Sequence, residues 1–278
     1  MKCYKKVLFF IINKHMLPRK VINEHHESKL KGEGNILNSV KKITFNKNLD
    51  FLLKKRFSYI ERYLKKDDMI LELGCGAGHS KNYIKNKNLK ISDITNYDFL
   101  DFKNVDCLNT PFKNDSFDCV FSLSLIHHIP NPMKLFNEIG RILKKNGKYI
   151  ILDINCCFFF KLITILTKSE KYDLDVNIYN EEINLTDPND TFDSNNAVPS
   201  LIFEDFEKFN NKLKYNFEIN DLKFQEFFTF LNSGGVIIDA PYLPLNKFLL
   251  KLLDNSDNFL SRFKKIFPLH IYCCLEKK

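Results

Sequence analysis

A chain of 278 residues with 44% hydrophobic residues and 27 Phe is long enough for one large α/β domain, or one domain with a sizeable insertion, and too apolar for general disorder. Its net charge of +8 is uneven, because residues 1–66 hold 17 Lys/Arg against five Asp/Glu and the remainder is net negative. Eight cysteines show no C-x-x-C pair and no zinc spacing, and Cys75, Cys107, Cys119, Cys273 and Cys274 lie in or beside predicted strands, which favours a reducing compartment over a disulfide framework.

The basic segment 1–50 suits a phosphate-bearing substrate, an anionic membrane surface, nucleic acid or plain solvent. Its apolar run Val7–Ile12 is too short to span a bilayer or to serve as a signal peptide, so the protein is expected in the cytoplasm. His25, His26 and Glu27 invite a metal reading, but adjacent histidines on a helix diverge by about 100°, and no metal is expected. Leu52, Leu53, Phe57, Ile60 and Leu64 recur at helical spacing. The helix delivers the chain to an apolar strand, Met69–Leu73, that suits a buried parallel sheet.

A glycine turn follows, with Gly74, Gly76 and Gly78 at alternate positions and a helix from Ser80 to Asn86. Glycine permits a sharp turn and a close approach of a ligand to the main chain, and the helix start offers unpaired N–H groups. The third glycine comes one residue too early for G-x-G-x-x-G, and no Gly-Lys-Ser/Thr follows, so dinucleotide and P-loop readings both fail. Leu89–Ile94 reads as a second strand. Asp93 lies 19 residues beyond Gly74, where a carboxylate can accept hydrogen bonds from ribose hydroxyls. Val105–Phe112 follows, then a turn at Asn114–Ser116, a fourth strand at Phe117–Ser122, and the stretch Leu125-Ile126-His127-His128-Ile129. Leu135–Leu143 reads as an amphipathic helix closed by Asn146-Gly147, and Tyr149–Asp153 as a fifth strand.

These elements resemble the class I S-adenosylmethionine-dependent methyltransferases, and within them the type 11 methyltransferase domain family. Glu72 stands at the acid position of acid-x-G-x-G-x-G. Asp106, Pro111-Phe112, Ser116-Phe117-Asp118 and the His127-His128 run follow in the family's order, with Cys107 in place of the usual alanine. The resemblance implies a Rossmann-like α/β sheet of seven strands, the last antiparallel, with helices on both faces. It implies S-adenosylmethionine as cofactor, held by Glu72, Gly74, Cys75, Gly76, Gly78, Asp93, Asp106, the Cys107 N–H and Ser122. Asp106 would take the adenine amine and Cys107 a ring nitrogen. His127 would act as general base or substrate contact, with His128 anchoring the loop. The loop, Asp93, Asp106 and Ser122 all map to the carboxyl ends of strands, where ligands of such sheets bind.

The expected organisation is a basic segment 1–50, a cofactor-binding core 51–154, an inserted cap 155–212 and a C-terminal part 213–278. The last holds strands near Leu213–Asn220 and Leu269–Leu275. Cys156–Thr167 is strongly apolar and reads as a buried helix, a channel wall or a helix lying on a membrane. Residues 169–193 are acidic. N-A-x-P and S-G-G-V-I segments look like those of methyltransferases of polysaccharide-synthesis clusters. The expected function is methylation, by preference O-methylation, of a small molecule or a glycan/glycolipid precursor. Alternatives are a quinone or lipid acceptor, RNA, or a catalytically silent cofactor-binding partner protein. An N-P-P-Y-type motif for methylating base amines is absent after strand four, which disfavours nucleic acid. No obligate protein partner is implied, and peripheral membrane contact stays open.

Overall fold

The computed structural model describes residues 17–22, 41–168, 171–236 and 239–278; Cys3, Val7–Ile12, His25, His26 and Glu27 lie outside them. The first long helix, α1 (Lys47–Glu61), is started by Asn46, whose side chain accepts from the N–H groups of Asn48 and Leu49, a strong N-cap arrangement. Its buried Leu49, Leu52, Leu53, Phe57 and Ile60 fall at the three- and four-residue intervals of one helix face.

The strands are β1 (Lys20–Val21), β2 (Ile70–Leu73), β3 (Leu89–Ser92), β4 (Phe117–Leu123), β5 (Leu143–Ile154), β6 (Tyr172–Asp173), β7 (Phe217–Gln225) and β8 (His270–Lys277). Six form the main sheet in the order β3-β2-β4-β5-β8-β7. β2, β3, β4 and β5 are parallel neighbours, and β8 is antiparallel to both β5 and β7. Consecutive strand residues feed opposite faces, as a two-residue period requires. Leu71, Val120 and Ile151 belong to one core, and Ile70, Phe121 and Ile150 to the other. Burial on both faces explains why these strands read as unbroken apolar runs. Cys119, Cys273 and Cys274 are buried within them, as small hydrophobes.

Helix α2 (Ser80–Tyr83) follows β2 and is shorter than expected. Helix α3 (Pro132–Ile142) starts at Asn131, which accepts from the Lys134 N–H, and buries Leu135, Phe136, Ile139 and Ile142. Asn146 takes φ 61, a left-handed conformation that asparagine tolerates better than most residues.

Among the described residues the sheet has six strands rather than seven. The third strand of the expected order is reduced to one parallel bridge, Ser92 to Phe102. Asn104 takes φ 54 and its N–H bonds the Thr95 carbonyl, which interrupts the strand between Phe102 and Val105, whose N–H bonds the Asp93 carbonyl at 2.9 Å. The penultimate strand begins at Phe217 rather than Leu213. The Asn210 side chain bonds both the N–H and the carbonyl of Phe217 and folds residues 211–216 into a turn.

Residues 155–212 hold α4 (Phe158–Thr167), β6, α5 (Val198–Glu204) and α6 (Phe206–Asn210). Part of the N-terminal basic charge meets this acidic insertion. β1 pairs with β6, Arg19 with Asp175 and Lys20 with Asp173, both at 2.6 Å. Helix α4 is largely spent on the protein itself. Phe159 stacks on Phe267 at 5.1 Å and meets Phe227 at 5.2 Å. Among the described residues no helix is long and apolar enough to cross a membrane.

Candidate active site at the carboxyl ends of the strands

The end of β2 opens into the glycine turn. Gly74, Gly76 and Gly78 take φ of +66°, +52° and +68°, a conformation that L-residues with a side chain rarely hold. Their surroundings differ. A Cβ on Gly74 would lie 2.6 Å from Leu125 Cδ1, and one on Gly78 3.0 Å from the Phe99 ring. At Gly76 a Cβ would meet nothing within 4 Å. The first and third glycines are therefore demanded by the protein's own packing, and the middle one leaves an open cradle.

The turn is tied to the neighbouring strand. The Cys75 N–H bonds the Ser92 carbonyl at 3.0 Å, and Ser92 Oγ donates to the Glu72 carbonyl at 2.8 Å. Asp93, beyond the end of β3, accepts the Gly76 N–H through Oδ2 at 2.9 Å and the Thr95 N–H through Oδ1 at 3.1 Å. Asp93 is thus brought to the rim of the cradle. Asp106 is exposed, with Oδ1 accepting the Leu108 N–H at 2.8 Å. Cys107 is half-buried beside it, and burial pushes its thiol up to about 12.

Two expected site residues turn inward. Glu72 is 3% exposed, and its Oε2 accepts from Ser80 Oγ, which fastens the strand end to the start of α2. Burial, opposed by that hydrogen bond and assisted by the Asp93 charge, pushes its carboxyl up to about 8. A raised carboxyl contributes stability in full below its unfolded value and loses it as pH rises through 8. The unfolding free energy of the Glu72→Gln variant should therefore gain on that of the wild type between pH 5 and 8, by at most about 1.4 kcal/mol per pH unit, read from melting curves. Parallel melting curves would rule this out. Ser122 is fully buried and its Oγ lies 2.9 Å from the Tyr149 hydroxyl. The structure does not bring it to the cradle; Leu125, three residues on, meets the glycine turn instead.

After β4 the chain makes a short 3-10 turn, Ile126–His128, and here the structure adds a residue that sequence reasoning passed over. Asp153, at the end of β5 and fully buried, holds His127 Nδ1 at 2.5 Å and accepts the Ile126 and Ile154 N–H groups, each at 2.7 Å. Burial alone would raise its carboxyl. His127 and the two N–H groups outweigh burial and hold it below its usual value. The sequence signal was a lone carboxylate closing the apolar run Tyr149–Leu152.

The insertion closes over this turn. The Asn195 N–H bonds the His127 carbonyl at 2.7 Å, Thr186 Oγ1 the His128 carbonyl at 2.9 Å, and the Leu185 N–H the Pro130 carbonyl at 2.9 Å. His128 Nδ1 donates to the Asp193 carbonyl at 3.0 Å. Burial, with the neighbouring His127, lowers the His128 ring to about 3, so it is neutral. Among the described residues no group of three metal-ligating side chains converges.

Residues 71–151 match a family model described as a methyltransferase domain. An uncharacterized protein of Methanocaldococcus jannaschii is 36% identical over 37% of this chain and 46% of its own length. A sterol 4-C-methyltransferase of Caenorhabditis elegans is 27% identical over 38% and 37%. A 27-O-demethylrifamycin SV methyltransferase of Amycolatopsis mediterranei is 23% identical over 32% and 40%. The chain thus spans less than half the length of these curated relatives. A solved S-adenosylmethionine-dependent methyltransferase from Archaeoglobus fulgidus aligns with a TM-score of 0.46 and 17% identity over 82% of this chain and 93% of that one.

The residues present suit this cofactor. The open position at Gly76 leaves room against the main chain, Asp93 stands at its rim, and Asp106 presents a solvent-facing acceptor. Over residues 71–151 this chain is similar to the methyltransferase domain that the family model describes.

Proposed function

We propose that the whole chain transfers the methyl group of S-adenosylmethionine to a hydroxyl of a small molecule or a glycan/glycolipid precursor, in the cytoplasm. The bound cofactor supplies a methyl group already activated on a sulfonium, so the protein's task is alignment and proton management. In this reading the cradle at Gly76 receives the donor, Asp93 accepts from its ribose hydroxyls, and Asp106 with the Cys107 N–H takes the adenine edge. Glu72 acts at one remove, by bracing the turn through Ser80.

The observation that carries the acceptor assignment is the pair His127–Asp153. An ionised Asp153 makes His127 Nδ1 the donor and leaves the lone pair on Nε2. That nitrogen can take the proton of an acceptor hydroxyl as its oxygen is methylated, with Asp153 stabilising the imidazolium that forms. His127 lies two residues beyond Leu125, whose side chain packs on Gly74. Residues 155–212 act as the cap that recognises the acceptor, supported by the bonds from Leu185, Thr186 and Asn195 to residues 127–130. The relatives named for a sterol carbon and a rifamycin oxygen differ in acceptor atom, so the preference for oxygen rests on the histidine–aspartate pair.

The test is incubation of the purified chain with methyl-labelled S-adenosylmethionine and separate small-molecule, glycolipid and RNA pools. Label in a hydroxyl-bearing small molecule or glycolipid is the expected outcome. Label in RNA alone would overturn the acceptor class. Bound donor with no transfer to any pool would leave a silent cofactor-binding protein.

A further inference from the structure

The helix α8 (Lys247–Leu260) has two apolar faces, and only one is used. It starts at Asn246, which accepts the Leu249 N–H. Leu250 and Asp257, one heptad apart, are turned inward. Asp257 accepts the N–H groups of Phe228 and Thr229, which locks α8 against the short helix α7 (Phe228–Leu231). On another side Phe248, Leu252 and Phe259 stand at i, i+4 and i+11, a single stripe of a helix. They are 68%, 46% and 57% exposed. Phe228 of α7 lines a common groove with Leu252 and Phe259, and Leu231 of α7 and Leu243 just before α8 are also exposed. A patch of this kind is unusual on a surface meant only for water.

The charges around it have one sign. Lys247 and Lys251 of α8 are exposed beside it, Arg262 lies 5.3 Å over the Phe259 ring, and among the described residues none of the three forms an ion pair. The two carboxylates of α8 do not offset them at the stripe. Asp257 is buried, and Asp254 is held by Lys55 of α1 at 2.5 Å. Phe and Leu on one face with Lys and Arg at the flanks is the pattern of a helix lying in a membrane interface. A second copy of the chain fits less well, because a two-fold contact would set this basic border against itself.

We propose that α8, with the adjoining Phe228 and Leu243, docks the protein on an anionic lipid bilayer, with Phe248, Leu252 and Phe259 entering the headgroup boundary and the flanking lysines meeting lipid phosphates. The surface is distinct from the Phe-rich helix α4, whose rings pack within the protein. The inference goes beyond the methyl-transfer reading, and vesicle association and turnover are read separately.

The test is flotation of the full chain with phosphatidylcholine vesicles and with phosphatidylcholine–phosphatidylglycerol vesicles, at low and high salt. Association with the anionic vesicles alone, weakening as salt rises, is expected. Phe248→Ser with Phe259→Ser should lower partitioning at least about tenfold, with unchanged circular dichroism and melting temperature. Lys247→Glu with Lys251→Glu should also abolish the preference for anionic lipid, without touching the aromatic stripe. The proposal is overturned if the wild type floats with neither vesicle, or if the Phe248→Ser, Phe259→Ser variant binds as well as the wild type. A dimer that this variant dissociates, with no vesicle binding by the wild type, would overturn it in favour of a second copy.

Discussion

Replacing His127 with alanine should lower turnover by about 10²–10⁴-fold, the usual contribution of a positioned general base, with little change in S-adenosylmethionine affinity. The cradle proposed for the donor is built from β2, β3 and the glycine turn, whereas His127 is held by Asp153 of β5 and by the Asn195 N–H. Loss of the imidazole removes the proton acceptor at Nε2 and leaves Gly76 and Asp93 in place. Asp153→Asn should fall in the same direction, because an amide no longer fixes the Nδ1–H tautomer or stabilises the imidazolium. Single-turnover rates beside calorimetric affinity would separate the two effects. Normal turnover in His127→Ala would remove the base assignment and leave Asp153 a purely structural carboxylate.

The second large effect concerns stability. Arg56 of α1 donates from Nε and Nη2 to the two Glu226 oxygens at 2.9 and 2.6 Å, and from Nη2 to His270 Nε2 at 2.9 Å. The Tyr272 hydroxyl also donates to Glu226. Glu226 is 0% exposed and Arg56 4%. Burial raises the Glu226 carboxyl, but the Arg56 charge prevails and holds it at about 2. The cluster joins α1 to the ends of β7 and β8, and Glu226 itself takes φ 62. Removing one partner strands a buried charge, at a cost of about 3–5 kcal/mol. Arg56→Ala or Glu226→Gln should therefore lower the melting temperature by on the order of 10 °C. The double replacement Arg56→Met with Glu226→Leu should recover part of that loss, since an apolar pair leaves no charge unpaired. A melting temperature within a degree or two of wild type (about 0.5 kcal/mol) in either single variant would contradict this account of the cluster.

How much of this was legible in the chain follows from the range of the interactions. The glycine turn announced itself because three left-handed positions in five residues leave glycine as the default choice. Asp93 could be placed beside the glycine turn because β3 pairs with β2 a fixed distance along the chain. The reduced third strand was not legible: Val105–Phe112 reads as extended, and the left-handed Asn104 that interrupts the pairing depends on its bond to Thr95. Ser122 was placed in the site from its position near a strand end, but the two-residue period of β4 turns its hydroxyl toward Tyr149. Asp153 was missed because its partner, His127, is 26 residues earlier and meets it only once β4 and β5 are paired. Arg56 and His270 are 214 residues apart, beyond any local pattern. Helix α8 was not singled out in the sequence, and which of its faces is turned inward is set by its contacts with Phe228 and Thr229.

The central claim is that the donor lies at the glycine turn with Asp93 at its rim. Calorimetric titration of S-adenosylmethionine into the wild type and into Asp93→Ala tests it most directly. Stoichiometric binding by the wild type and a loss of about 10²-fold in the variant are expected, as for removing charged hydrogen bonds to two hydroxyls, with the variant still folded by circular dichroism and melting somewhat lower because the Gly76 and Thr95 N–H groups lose their acceptor. Equal affinity in the two proteins, or no binding by the folded wild type, would contradict it.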